Sequence, residues 1–157
     1  MHLRRQQRPE AIFHGNRELS QQTNDEETLV ELGNLFMDLN ELGAAETAFK
    51  RVLSMNPKHA GARHNLSVTY LMAGRLEDGI AQAKLALAIQ PKYVLAMHNL
   101  ALAYLSKKDF RRARFWLREA LDIAPDDAQL KQLRTRLRVA VIVDGVKGIP
   151  AKLFGRR

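Results

Sequence analysis

Apolar and polar residues alternate along most of this chain with the spacing of amphipathic helices. The first apolar stripe has successive spacings of three, four and three residues, which predicts one helix: Leu29, Leu32, Phe36 and Leu39. A second stripe follows after a short polar turn and predicts another helix: Ala45, Ala48, Phe49, Val52 and Leu53. The pattern therefore predicts a pair of helices joined by a turn near Asn40 and Gly43.

The helix pair recurs with a period of 34 residues. Pro57, Pro91 and Pro125 are separated by this interval, and each ends a unit because the residue before a proline is disfavoured in a helix. The same period relates further columns: Leu32, Leu66 and Leu100; Phe36, Tyr70 and Tyr104; Leu42, Leu76 and Phe110; Leu53, Leu87 and Leu121. Agreement across so many columns predicts three copies of one structural unit.

These columns resemble the tetratricopeptide repeat family over residues 26–127. The resemblance implies close packing of small residues in each helix pair: Gly33, Ser67 and Ala101 against Ala45, Gly79 and Ala113. The chain departs from the family pattern at a later aromatic position, which holds Phe49 but then Ala83 and Leu117, and Lys108 stands at the usual turn glycine. The implied fold is all-α, a right-handed α-α superhelix, or solenoid, of antiparallel helix pairs.

The same pattern divides the chain into segments. We expect a repeat domain over 26–144, with repeats at 26–59, 60–93 and 94–127 and a capping helix at 128–144. A terminal helix of this kind covers the last apolar face of a repeat array. Residues 1–25 are predicted to be a mostly extended N-terminal arm, and residues 145–157 a basic C-terminal tail.

Composition excludes several kinds of chemistry. The 157 residues contain no cysteine, which excludes disulfides and thiolate metal sites. The five histidines are scattered, and although His64 and His98 occupy equivalent repeat positions, further metal ligands are missing nearby. No nucleophile–base pair or glycine-rich phosphate loop is present, so we expect a non-enzymatic protein without cofactor or metal. No apolar run approaches the ~18 residues of a membrane span, and the expected location is cytoplasmic.

The resemblance implies that the first helices of the repeats line a concave groove, which binds a peptide or helix of a partner protein. The predicted groove residues are Asn34, His64, Asn65, Val68, Met72, Leu95, His98, Asn99, Leu102 and Arg136. An asparagine amide complements a peptide group, so Asn65 and Asn99 would hold the backbone of an extended peptide. Alternatively, both asparagines bond to neighbouring helices or water. The cations with which some family members bind acidic chaperone tails are absent, since Val30, Leu95 and Asn99 occupy those positions.

Charge is distributed unevenly along the chain. The whole chain has a net charge of +8, yet residues 26–59 have a net charge of −3 and residues 128–157 a net charge of +7. A possible second contact surface combines arginines and aromatics: Arg111, Arg112, Phe115, Trp116 and Arg118. Its aromatics would stack on the bases of a nucleic acid or on an apolar residue of a partner, or the tail would cover them through Ile149, Leu153 or Phe154. The positive net charge of the chain favours a partner protein with acidic residues, or nucleic acid.

The predicted function is therefore that of an adaptor or assembly factor. Three alternatives remain: an RNA- or ribosome-associated protein that uses the basic C-terminal end, a chaperone like those of type III secretion, and a homo-oligomer whose N-terminal arm fills a neighbour's groove.

Overall fold

The computed structural model describes residues 10, 12, 14–17 and 25–147, and over 25–147 it consists of helices joined by tight turns. Over 25–147 the order is α1 (Glu26–Asp38), α2 (Leu42–Met55), α3 (Ala60–Met72), α4 (Leu76–Ile89), α5 (Val94–Ser106), α6 (Phe110–Ile123) and α7 (Ala128–Lys147). Each helix packs on the next, and the first helices of successive repeats, α1, α3, α5 and α7, also contact one another. The predicted all-α architecture of antiparallel helix pairs is confirmed, and the described residues contain no strand.

The turn inside each repeat has the same backbone geometry in all three copies. Asn40, Gly74 and Lys108 lie 34 residues apart and have φ angles of +59°, +74° and +58°. In each turn the following amide donates to a carbonyl five residues earlier, as from Glu41 to Phe36 at 2.8 Å. Lys108 therefore adopts the left-handed conformation that glycine supplies at no steric cost, and the register of the repeat imposes it.

Packing within the first helix pair depends on one small and one large residue. A Cβ atom built on Gly33 would lie 2.4 Å from Cε1 of Phe49, so the ring occupies the space that any side chain at 33 would need. Phe36 and Phe49 are both fully buried in this unit, together with Ala45. The predicted close approach at Gly33 is thus made by the ring of Phe49.

The second and third repeats fill the same space differently. Ser67 replaces Gly33 and donates a 2.8 Å hydrogen bond to the carbonyl of Gly79. A Cβ atom on Gly79 would lie 2.6 Å from Cδ2 of Leu71. In the third repeat Ala101 and Leu117 are both buried. The aromatic position held by Phe49 can therefore hold alanine or leucine because the facing position changes with it.

The two ends of the chain differ in part from the sequence predictions. Residues 10, 12 and 14–17 are helical, where a mostly extended arm is predicted, and Gly15 packs on the ring of Phe36. The last helix extends to Lys147, three residues past the predicted boundary of 144. The predicted coverage by Ile149, Leu153 or Phe154 lies outside the described residues. In the described part of the chain, no helix combines the length and apolar character needed to cross a membrane.

Candidate functional site

The first helices of the second and third repeats enclose an apolar pocket of about 270 Å³. Val68, Leu71 and Met72 contribute from α3, and Leu102 and Ser106 from α5. Met72 is 49% exposed although it is apolar. Such a surface is suited to an apolar side chain of a ligand, because methionine adapts its shape easily.

A second pocket, of about 390 Å³, continues this surface toward the last helix. Leu102 and Ser106 line both pockets, so the two adjoin each other. The far wall comes from the turn after α5, the start of α6, and α7: Lys108, Phe110, Arg136, Ala140, Val143 and Asp144. Lys108 Nζ donates to Asp144 Oδ1 at 3.0 Å. We call these two adjoining pockets the groove; its first pocket is apolar, and the far wall of its second pocket is charged.

Asn99 stands at the wall of the groove but is tied into the repeats. Its side chain is 4% exposed, and its Nδ2 donates to His64 Nδ1 at 3.1 Å and lies 3.5 Å from Ser67 Oγ. Ser67 in turn donates to the carbonyl of Gly79. The Asn99 amide thus links α5 to α3 directly, and to α4 through Ser67. The predicted role, in which this amide binds the backbone of a peptide ligand, does not fit this arrangement.

Asn65 is placed differently, although its sequence neighbours match those of Asn99. Its Nδ2 donates to Asn34 Oδ1 at 3.0 Å, which joins α1 to α3 near the surface. Both asparagines lie in the tripeptide sequence His-Asn-Leu, yet only Asn99 is buried. The alternative in which these asparagines bond to neighbouring helices describes both side chains.

The predicted groove residues fall into two sets. One set lines the groove: Val68, Met72, Asn99, Leu102 and Arg136. The remaining predicted residues lie outside the pocket linings: Asn34, His64, Asn65, Leu95 and His98. Sequence reasoning missed the contribution of Lys108, Ala140, Val143 and Asp144, for which the spacing of Arg136, Ala140 and Val143 along one side of the capping helix was an available signal.

Two histidines lie beside the groove in surroundings that favour their neutral form. Burial lowers the pKa of His64 below its ordinary value of 6.5, and the charge of His98 lowers it further. The ring of His64 lies 5.5 Å from that of Tyr93. Burial also lowers the pKa of His98, where Asp127 acts in the opposite direction and Arg136 reinforces the decrease.

These pKa shifts predict a loss of stability in mild acid. Below pH 6.5 the unfolded chain takes up protons at His64 and His98 that the folded chain does not, so the free energy of unfolding should fall as pH falls. One such group contributes a slope of at most about 1.4 kcal/mol per pH unit. The free energy of unfolding, measured by urea unfolding above and below pH 6.5, should change less with pH for His64→Gln than for wild type. An equal pH dependence of the free energy of unfolding in the two proteins would contradict this role of His64.

The predicted arginine–aromatic surface is also divided by the structure. Phe115 is 46% exposed and meets Trp116 edge to face, with ring centroids 5.1 Å apart, whereas Trp116 is half-buried against the core of the third repeat. Arg118 lies 5.9 Å from the Phe115 ring centroid. Arg112 lies apart, over the Tyr104 ring, and pairs with Asp109 at 3.4 Å.

Comparison with known families and structures agrees with this architecture. Two tetratricopeptide repeat family models match residues 30–94 and 71–137. The fold is similar to that of the Sgt2 TPR domain from Aspergillus fumigatus, with a TM-score of 0.74 and 22% identity, over 82% of this chain and 86% of that chain. A search of curated proteins found no match.

Two further solved structures of similar fold come from proteins that bind peptides. YrrB, described as a TPR protein with an unusual peptide-binding site, has a TM-score of 0.73 and 20% identity, over 85% of this chain and 69% of that chain. The first TPR of Spaghetti (RPAP3), bound to the HSP90 peptide SRMEEVD, has a TM-score of 0.71 and 15% identity, over 74% and 95% of the two chains. At these identities the likeness shows the fold.

Proposed function

Because the chain belongs to the tetratricopeptide repeat family, we propose that it is a non-enzymatic interaction module that binds a peptide or helix of a partner protein in the groove. The observation that carries this proposal is the pair of adjoining pockets along the first helices, with exposed Met72 at one end and Arg136 at the other. In this role the protein acts as an adaptor or assembly factor.

The chemistry of the groove favours a ligand with apolar side chains. Val68, Leu71 and Leu102 are half-buried and border open space, so a partner's apolar group would remove them from water. Charge lies at the far end, where Lys108 and Asp144 already pair with each other. An amphipathic helix or an extended apolar segment therefore fits better than a highly charged peptide.

In this chain, cations are missing from the positions at which the family resemblance implies binding of an acidic chaperone tail. The Spaghetti relative holds an HSP90 peptide with an acidic end, and a charge-assisted clamp is the natural partner of such an end. In this chain Val30, Leu95 and Asn99 occupy the positions expected for the cations, and Asn99 is engaged in the core. We therefore propose apolar segments, rather than chaperone tails, as ligands.

A charged block at the exposed groove residues tests the proposal. In Met72→Arg/Ser106→Arg, both changed positions are exposed, so the fold should persist while two guanidinium groups fill the first pocket. Peptides are selected from a display library on the wild-type protein, and their Kd values are measured by fluorescence anisotropy. We expect Kd to rise about tenfold or more, because central apolar contacts dominate binding energy.

The chain offers a control of identical chemistry. Ser54 and Met55 are exposed at the end of α2, outside the groove, and Ser54→Arg/Met55→Arg introduces the same two side chains. Peptide Kd values for this variant should stay within about twofold of wild type, a difference below ~0.5 kcal/mol. The proposal fails if no peptide is selected, or if the selected peptides bind both variants equally well.

A further inference from the structure

A second cleft lies between α6 and α7, apart from the first pocket of the groove. It consists of two pockets of about 430 and 330 Å³ that share Arg114 and Arg118. We call it the outer cleft, and its lining is Phe110, Arg111, Arg114, Phe115, Leu117, Arg118, Leu121, Asp122, Arg134, Leu137, Arg138 and Val141. From Phe110 to Asp122 it follows α6 for about 18 Å, at 1.5 Å per residue.

Guanidinium groups without carboxylate partners surround this cleft. Arg111, Arg114, Arg134 and Arg138 form no ion pair within the part of the chain that the structure describes. Arg118 has only a 3.5 Å contact with its neighbour Glu119. Two other cations of the same helices are paired, Arg112 with Asp109 and Lys131 with Asp126, and Arg136 lines the second pocket of the groove instead. Positive charge is therefore concentrated where the surface is concave.

The floor of the outer cleft is apolar. Leu117 and Leu137 are buried, Leu121 and Val141 are half-buried, and Phe115 is largely exposed. A ligand that complements both features carries apolar side chains on one face and carboxylates beside them. A nucleic acid backbone would satisfy the arginines but offers no aliphatic group to this floor. The combination favours an acidic amphipathic helix.

The repeat register defines where such a ligand helix would lie. Arg134 and Arg138 lie 34 residues after Leu100 and Tyr104, which in the third repeat are buried in one cluster with Leu117 of the second helix. The α7 helix thus stands as a first helix, and no second helix follows it among the described residues. The face that would meet such a helix has arginine at both positions where the repeats have apolar or aromatic residues.

We propose that an acidic amphipathic helix of a partner protein binds the outer cleft, where the second helix of a fourth repeat would lie. Its apolar side contacts Leu117, Leu121 and Leu137, and its carboxylates pair with the arginines on both rims. The chain's own segment 148–157 is a poor occupant on charge, because it contains three cationic side chains and no acidic one. This surface is additional to the groove and does not depend on a ligand there.

The test uses a helix-stapled peptide of about 14 residues, enough to span three to four helical turns, with leucines on one face and glutamates along both edges of that face. A companion peptide has serine in place of every leucine. Arg114→Gln/Arg138→Gln removes two cleft charges, and glutamine keeps the helix propensity. The matched control Arg112→Gln/Lys131→Gln removes two charges from the same helices at paired positions outside the cleft.

Fluorescence anisotropy at low and near-physiological salt measures Kd for each combination. We expect the leucine peptide to bind wild type, with a Kd about tenfold higher for the cleft variant and nearly unchanged for the control. Peptides whose binding is weakened by Met72→Arg/Ser106→Arg should bind wild type, the cleft variant and the control with the same Kd. Failure of the leucine peptide to bind overturns the proposal, and so does equal loss in the control. Tighter binding of the serine peptide, of single-stranded RNA or of phosphatidylserine vesicles would also overturn it.

Discussion

Replacing Phe49 with alanine is expected to lower the free energy of unfolding by about 3–5 kcal/mol, the usual cost of removing a buried phenylalanine. The Phe49 ring is fully buried and lies against Gly33, which has no side chain to move into the space left behind. The cavity would therefore persist instead of collapsing. Urea unfolding followed by circular dichroism measures the loss directly.

The facing glycine supplies a control whose effect should reverse in sign. Gly33→Ala in the wild-type background should destabilise the protein by about 1–3 kcal/mol, because the added Cβ would lie 2.4 Å from the Phe49 ring. In a Phe49→Ala background the same change should stabilise it by about 0.5–1 kcal/mol, since alanine is the better helix former. Additive effects of the two substitutions would contradict direct contact between these residues.

Asn99→Ala is expected to cost about 1–3 kcal/mol of stability, the penalty for leaving buried polar groups without partners. The change removes the Asn99 Nδ2 amide, which donates to His64 Nδ1 and lies 3.5 Å from Ser67 Oγ. Asn99 itself is only 4% exposed, so water does not readily replace this amide. Thermal and urea unfolding of the purified variant measure this loss, and no peptide ligand is needed to observe it.

Asn65→Ala is the matched control, because the two asparagines occupy equivalent positions in successive repeats. Its hydrogen bond to Asn34 lies near the surface, where water replaces a lost partner, so a cost below about 1 kcal/mol is expected. Equal destabilisation by the two substitutions would show that burial does not distinguish them.

The repeat period made the fold predictable from sequence. Residues 34 apart face the same surroundings in a solenoid, so each column reports the burial of three equivalent sites at once. The proline and turn positions set the helix ends, and even Lys108, which lacks the conformational freedom of glycine, takes the turn geometry of Gly74. Local chemistry at Lys108 alone does not predict a positive φ, whereas its register does.

The candidate site was predictable only in part. Val68, Met72 and Leu102 line the groove because their helix positions determine which way they face. The environment of an individual polar residue depends on its neighbours in space: His64 and Ser67 approach Asn99 and enclose it, while Asn65 meets Asn34 at the surface. The two His-Asn-Leu tripeptides are identical in sequence and therefore do not predict this difference.

Sequence by itself determined the helix pairs, their register, the uneven distribution of charge and the absence of cysteine chemistry, because each follows from residue type and spacing. Only the tertiary structure decided which residues line the two adjoining pockets, which arginines lack carboxylate partners and how Phe49 fits against Gly33. These properties depend on distances between side chains that are far apart in the chain. Periodicity gives the direction in which a side chain points, and packing decides what it meets there.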